Sequence, residues 1–184
     1  MEMLWGDIVP VPEESVRILQ GGETLDLEGG ISVEYAPGHA QHHVVYLHRD
    51  SNIAFVGDVA GVRIPPGNAV VAPTPPPDID VETWHRSIEL VRSWQPSALG
   101  LTHWGLVEDP DAQLDAVASC LDDHAALARD LDPEAFADAV KARLAREVGD
   151  EVAEAYFQAS PPDQLHAGLE RYWRKRAERE ASES

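Results

Sequence analysis

Residues 31–35 read Ile-Ser-Val-Glu-Tyr, apolar and polar in strict alternation, which is the period of a strand with one face buried. Residues 24–27 repeat the alternation, residues 44–48 follow as another strand, and short apolar runs at 53–56 and 98–101 complete the set. A further short strand is expected at 14–19. Gly21-Gly22, Gly29-Gly30 and Arg49-Asp50-Ser51-Asn52 mark the turns between them. Residues 81–94 change period: Trp84, Ile88, Val91 and Arg92 recur at helical spacing. If 31–35, 44–48 and 53–56 are sequential antiparallel neighbours, the first and third point the same way. A strand, crossover helix, strand unit then sets 98–101 parallel to 53–56. The residues just past these three strand ends therefore arrive at one edge of one sheet.

Beyond Gly105 the pattern is helical. Asp109-Pro110-Asp111 and Asp132-Pro133-Glu134 read as helix starts, a third helix follows Gly149 or Asp150, and Pro161-Pro162 opens a fourth. Their stripes hold Leu114, Val117 and Leu121, then Phe136, Val140 and Leu144, then Val152, Tyr156 and Phe157, then Leu165, Leu169, Tyr172 and Trp173. The chain is thus expected to be α/β (α+β), with a sheet part at residues 1–107 and a helical C-terminal extension at 108–184. Residues 1–12 read as a connector anchored by Leu4, Trp5, Ile8 and Val9, and residues 178–184 as a frayed end. His124 and His166 fall on the helices and are assigned to surface or packing. Arg171, Arg174, Lys175 and Arg176 answer the chain's own carboxylates or the helix C-terminus.

Charge narrows the partners. The net charge is −19 and the only lysines are Lys141 and Lys175, so the surface repels phosphate backbones and anionic lipid. Neither nucleic acid nor membrane is an expected partner, and a small-molecule substrate and a homo-oligomer are. The acidity suits either a high-salt habitat or an ordinary acidic protein. Cys120 stands alone, which excludes an intrachain disulfide. No basic segment leads into an apolar one at the start and no apolar run could span a bilayer, so a cytoplasmic location is expected.

The chemistry gathers at the strand ends. Pro37-Gly38 presents His39 from a tight bend, Asp58 follows Gly57 after the 53–56 run, and His103 follows the 98–101 run. Imidazole and carboxylate are what zinc and similar divalent metals take from a protein. Singly, each has a plainer reading as a turn residue or a loop cap. Residues 59–79 form a long proline-rich loop leaving Asp58. As a functional loop it would wall a substrate pocket, with Arg63 meeting an anionic substrate; otherwise it is a stiff surface connector.

Pro37-Gly38-His39 with His43 following, Phe55-Val56-Gly57-Asp58, and Leu101-Thr102-His103-Trp104-Gly105 resemble, in order, the later motifs of the metallo-beta-lactamase superfamily. The resemblance implies the C-terminal part of an αββα sandwich in which His39 ligates one metal, Asp58 bridges two and His103 ligates the second. His43 matches a structural histidine beside the site, and His42 stands where the family has glycine. The implied cofactor is Zn2+ or another divalent metal, up to two ions in the complete site. The implied activity is hydrolysis of an ester, thioester, lactone or amide-type bond by metal-activated water, with Asp58 catalytic. The family's His-x-His-x-Asp-His motif does not occur in the chain. The sequence therefore reads as a truncated form of a metallo-hydrolase with an incomplete site, or as a non-catalytic half-fold acting as an interaction or oligomerisation module. Serine hydrolysis is a poor reading, because no Gly-x-Ser-x-Gly elbow occurs.

Overall fold

A computed structural model describes residues 9–182. Its sheet runs in sequence order: β1 (Thr24–Leu25), β2 (Ile31–Tyr35), β3 (Val44–His48), β4 (Ile53–Gly57), β5 (Ala98–Leu101) and β6 (Gly105–Val107). Neighbours are antiparallel except β4 and β5, which are parallel and joined through helix α1 (Val81–Ser93). Asn52, at φ 53°, closes the turn from β3 to β4. The fold is mixed α/β.

Directly opposed residues share a sheet face. One row crosses the sheet as Ser32, Leu47, Ala54, Leu99 and Val107, and the next as Val33, Tyr46, Phe55, Gly100 and Leu106. From the first row Ala54, Leu99 and Val107 are buried in the core, with Leu47 packed against it. Trp84, Ile88 and Val91 of α1 join that core. Asp80 starts α1 by accepting the Thr83 N–H at 2.9 Å.

Four further helices follow: α2 (Pro110–Asp130), α3 (Pro133–Val148), α4 (Asp150–Ala159) and α5 (Pro162–Ser182). Asp109 and Asp132 cap α2 and α3 through the N–H groups of Ala112 and Ala135, each with proline in the first turn. Leu114, Val117 and Leu121 of α2 share one hydrophobic cluster with the sheet, as do Phe136, Val140, Tyr156, Leu165, Leu169 and Tyr172. Trp173 packs against its margin and donates to the Ala125 carbonyl at 2.7 Å. His124 and His166 are both buried, flanking Phe136 at 5.7 and 5.2 Å.

Several expectations change. Residues 14–19 form no strand: a 3-10 turn at Glu13–Ser15 gives way to exposed chain with Ile18 79% accessible, and among the described residues no strand pairs with it. Val9 is exposed, not an anchor, while Leu4, Trp5 and Ile8 lie outside the described residues. Residues 178–182 are helical, tied by Arg179 to Asp80 at 3.5 Å and by Arg176 to Glu180 at 3.1 Å; residues 183–184 lie outside the described residues. The loop 59–79 is not a surface connector. Val59, Ala60, Val62, Val71 and Ala72 are buried, and Val62 and Val71 pair as an antiparallel bridge. Helices clasp it from outside, Tyr156 through the Ile64 N–H at 2.9 Å and the Ala69 carbonyl at 2.8 Å.

Candidate metal centre

Gly38 fixes where His39 can stand. Its φ is 126°, and a Cβ there would lie 2.4 Å from the Trp84 Cα and N, so only glycine lets the bend lie against α1. The His39 ring meets the Trp84 indole edge-on at 5.4 Å. Its Nδ1 lies 2.9 Å from the Pro73 carbonyl oxygen. A carbonyl only accepts, so Nδ1 carries the proton and a neutral His39 turns its Nε2 lone pair away from that carbonyl.

That lone pair faces Asp58. His39 Nε2 is 3.5 Å from Oδ2, and His103 Nε2 is 3.7 Å from Oδ1. The structure thus brings together three residues from the ends of three separate chain segments. Asp58 follows Gly57, at φ 54° on the end of β4, where a Cβ would lie 2.4 Å from His43 Nε2. The vacated space admits the His43 ring, whose Nε2 accepts the Asp58 N–H at 3.1 Å. His43 therefore holds the backbone that carries Asp58. Burial first, and then the neighbouring His39, push its pKa below the usual imidazole value, with Asp58 pulling the other way.

The separations suit shared cations. Two donors bonded to one tetrahedral metal at about 2.0–2.2 Å lie roughly 3.4 Å apart. Each Asp58 oxygen has its own imidazole at such a distance. Without a cation or a proton between them, the His39 lone pair and the carboxylate are two acceptors facing each other. The donor count falls short, however. Each pair offers two protein ligands where a catalytic zinc takes three, and among the described residues no group of three or more His, Cys, Asp or Glu is placed to hold one ion. The Nδ1 atoms of His43 and His103 are also buried with no hydrogen-bond partner among the described residues. The donor chemistry fits a divalent metal, as two incomplete pairs.

The remaining residues sit at the margin. Arg63 exchanges backbone hydrogen bonds with His103 and Trp104, at 2.6 and 2.9 Å, while its guanidinium donates to Asn68 at 2.7 Å. His42 is exposed. Trp104 is 53% accessible and stands edge-on to His103 at 5.0 Å. Sequence patterns do not single out the Pro73 carbonyl, because a main-chain acceptor has no residue signature. Trp84 is legible only as a core residue of α1, although its indole also walls His39.

The sequence model of the metallo-beta-lactamase superfamily matches residues 2–103. The metallo-beta-lactamase fold-containing protein ST1585 of Sulfurisphaera tokodaii is 38% identical over 96 residues, covering 52% of this chain and 35% of that protein. The crystal structure of ST1585, described as an archaeal metallo-beta-lactamase superfamily protein from Sulfolobus tokodaii, superposes with a TM-score of 0.54 at 29% identity, covering 67% of this chain and 45% of that one. A metallo-beta-lactamase family protein of Thermus thermophilus, TTHA1429, shares the fold at a TM-score of 0.52 and 14% identity, over 86% of this chain and 49% of its own. The chain thus spans about a third of the curated relative and under half of these two solved chains. A family match over more than half of its length, on the residues that bring His39, Asp58 and His103 together, establishes that this chain belongs to the metallo-beta-lactamase superfamily.

Proposed function

We propose that this chain carries the Asp58 half of a divalent-metal centre in a hydrolase acting on a small molecule with an ester, thioester, lactone or amide-type bond. One observation carries the reading: the two oxygens of a single carboxylate are each addressed by the Nε2 of a different histidine, at 3.5 and 3.7 Å. Asp58 would bridge, and His39 and His103 would each hold one ion. His43 keeps the Asp58 backbone in place, and the Pro73 carbonyl keeps the His39 lone pair aimed inward. A divalent ion bound there supplies Lewis acidity and activates water for hydrolysis. Arg63, whose backbone is paired to His103 and Trp104, is the side chain that would meet an anionic group of the substrate on exchanging its bond to Asn68.

With two protein donors for each ion, zinc affinity of the chain is expected to be modest. Calorimetric titration of zinc into the purified protein, beside His39→Ala and Asp58→Ala, tests the assignment. Asp58→Ala should abolish binding and His39→Ala should weaken it at least tenfold. Equal binding by all three would place the ion at surface carboxylates and remove the reading.

A further inference from the structure

A neutral His39 has two acceptors within reach for its one ring proton. Nδ1 lies 2.9 Å from the Pro73 carbonyl oxygen, and Nε2 lies 3.5 Å from Asp58 Oδ2. A carboxylate is the stronger acceptor, so an unconstrained His39 would turn the proton on Nε2 toward Asp58 and lose the lone pair a cation needs. The Pro73 carbonyl keeps Nε2 open only while it is held in place. The chain around it is stiff: the rings of Pro73 and Pro75 fix their own φ, and Thr74, standing before a proline, is confined to extended conformations. The Pro73 carbonyl belongs to the planar peptide that it shares with Thr74, so whatever anchors Thr74 aims that carbonyl.

One face of α5 supplies the anchors. Thr74 is fully buried, and its hydroxyl donates to the Leu165 carbonyl at 2.9 Å. Gly168 lets the helix lie against the Thr74 carbonyl, and Arg171 donates through Nε to the Pro77 carbonyl at 3.0 Å. Leu165, Gly168 and Arg171 recur every three residues, along one side of the helix. The same helix reaches α1, where Tyr172 and Arg176 donate to Glu82 at 2.8 and 2.6 Å and Arg179 pairs with Asp80 at 3.5 Å. The Asp80 N–H in turn donates to the Gly38 carbonyl, behind His39, at 2.9 Å. Those ion pairs are largely solvated and hold weakly, whereas the Thr74 bond is buried. We propose that Thr74, anchored on α5, is a positioning residue for His39, setting the tautomer that leaves Nε2 open to a metal. The helical extension thereby acts on the candidate centre through the loop. His103 is served by a different contact: its carbonyl accepts the Arg63 N–H at 2.6 Å, and the next residue, Ile64, is clasped by Tyr156. The role toward a metal rests on the function proposed above; the tautomer does not.

Ring-nitrogen NMR of the metal-free, ¹⁵N-histidine-labelled chain at mildly alkaline pH reads the tautomer. The wild type and Thr74→Ser, which keeps the hydroxyl, should both show His39 protonated on Nδ1. Thr74→Val keeps the volume without the donor, and should move the proton to Nε2 in a large share of the molecules. Tyr156→Phe loosens the same loop at another point and should leave His39 as it is, which separates positioning from general destabilisation. Should Thr74→Val not fold, Arg171→Ala removes the Pro77 anchor by altering only a surface side chain, and should move the His39 signals the same way to a smaller extent. With zinc added, Thr74→Val should bind about tenfold more weakly than Thr74→Ser. A wild-type His39 already protonated on Nε2, His39 signals unmoved by Thr74→Val (or by Arg171→Ala in its place), an equal shift in Tyr156→Phe, or equal zinc affinity in the two Thr74 variants overturns the proposal and leaves the zinc assignment standing. Zinc bound by none of these proteins, with the tautomers as expected, removes the metal reading and leaves the positioning of His39 intact.

Discussion

His124 is one of the most deeply buried titratable residues of the helical region, 1% accessible on α2. Arg143 lies across it with Nη1 3.4 Å from Nε2, and the same guanidinium reaches the Cys120 sulfur at 3.1 Å and the Val70 carbonyl at 2.8 Å. Burial, and then the charge of Arg143, lower the His124 pKa to about 4, with Asp123 and Glu147 opposing. In the unfolded chain the imidazole returns to about 6.5. Between these values the unfolded state binds a proton that the folded state refuses, so stability is intact above pH 6.5 and is lost as pH falls towards 4. The full loss is about 3 kcal/mol, of which about 2 kcal/mol is reached by pH 5. Urea unfolding at pH 7 and pH 5 should show His124→Gln losing less stability over that interval than the wild type, by about 2 kcal/mol. Parallel losses in the two proteins would show that His124 titrates normally when folded.

At the scale of elements, the loop 59–79 and the helices outside it hold each other. Tyr156 on α4 accepts the Ile64 N–H and donates to the Ala69 carbonyl; Thr74 donates to the Leu165 carbonyl at 2.9 Å. Gly168 lets α5 close on the loop, since a Cβ there would fall 1.9 Å from the Thr74 carbonyl oxygen. Tyr156→Phe should cost about 1–3 kcal/mol in urea unfolding, because it strands the Ile64 N–H and the Ala69 carbonyl. An unchanged midpoint would mean the clasp contributes nothing. Little of this clasp is legible in the sequence: prolines give residues 59–79 the composition of a connector, and nothing local says that their valines and alanines lie under the helices. The strands at 31–35, 44–48 and 98–101 are legible because alternation or a bounded apolar run states both their type and their ends. β6 is not, since three residues carry no period. The 14–19 segment has the composition of a strand but pairs with none among the described residues, and composition alone does not supply a partner.

At the scale of the whole molecule, a single hydrophobic cluster spans sheet and helices, and His39, Asp58 and His103 stand together at one edge of the sheet. The convergence of His39, Asp58 and His103 follows from strand order, because a meander and one parallel crossover carry all three strand ends to the same edge. That much can be read from spacing. The tautomer of His39 cannot, since it depends on the Pro73 carbonyl, 34 residues away in the chain. The central claim is that the two Nε2 atoms and the Asp58 carboxylate form metal pairs, and ring-nitrogen NMR of the ¹⁵N-histidine-labelled protein with added zinc reads it most directly. The predicted result is that the Nε2 signals of His39 and His103 move to metal-bound values, His39 Nδ1 keeps its proton, and Asp58→Asn abolishes both shifts. Shifts confined to the exposed His42, or to His48 and His85, with the Nε2 signals of His39 and His103 unmoved, would contradict it.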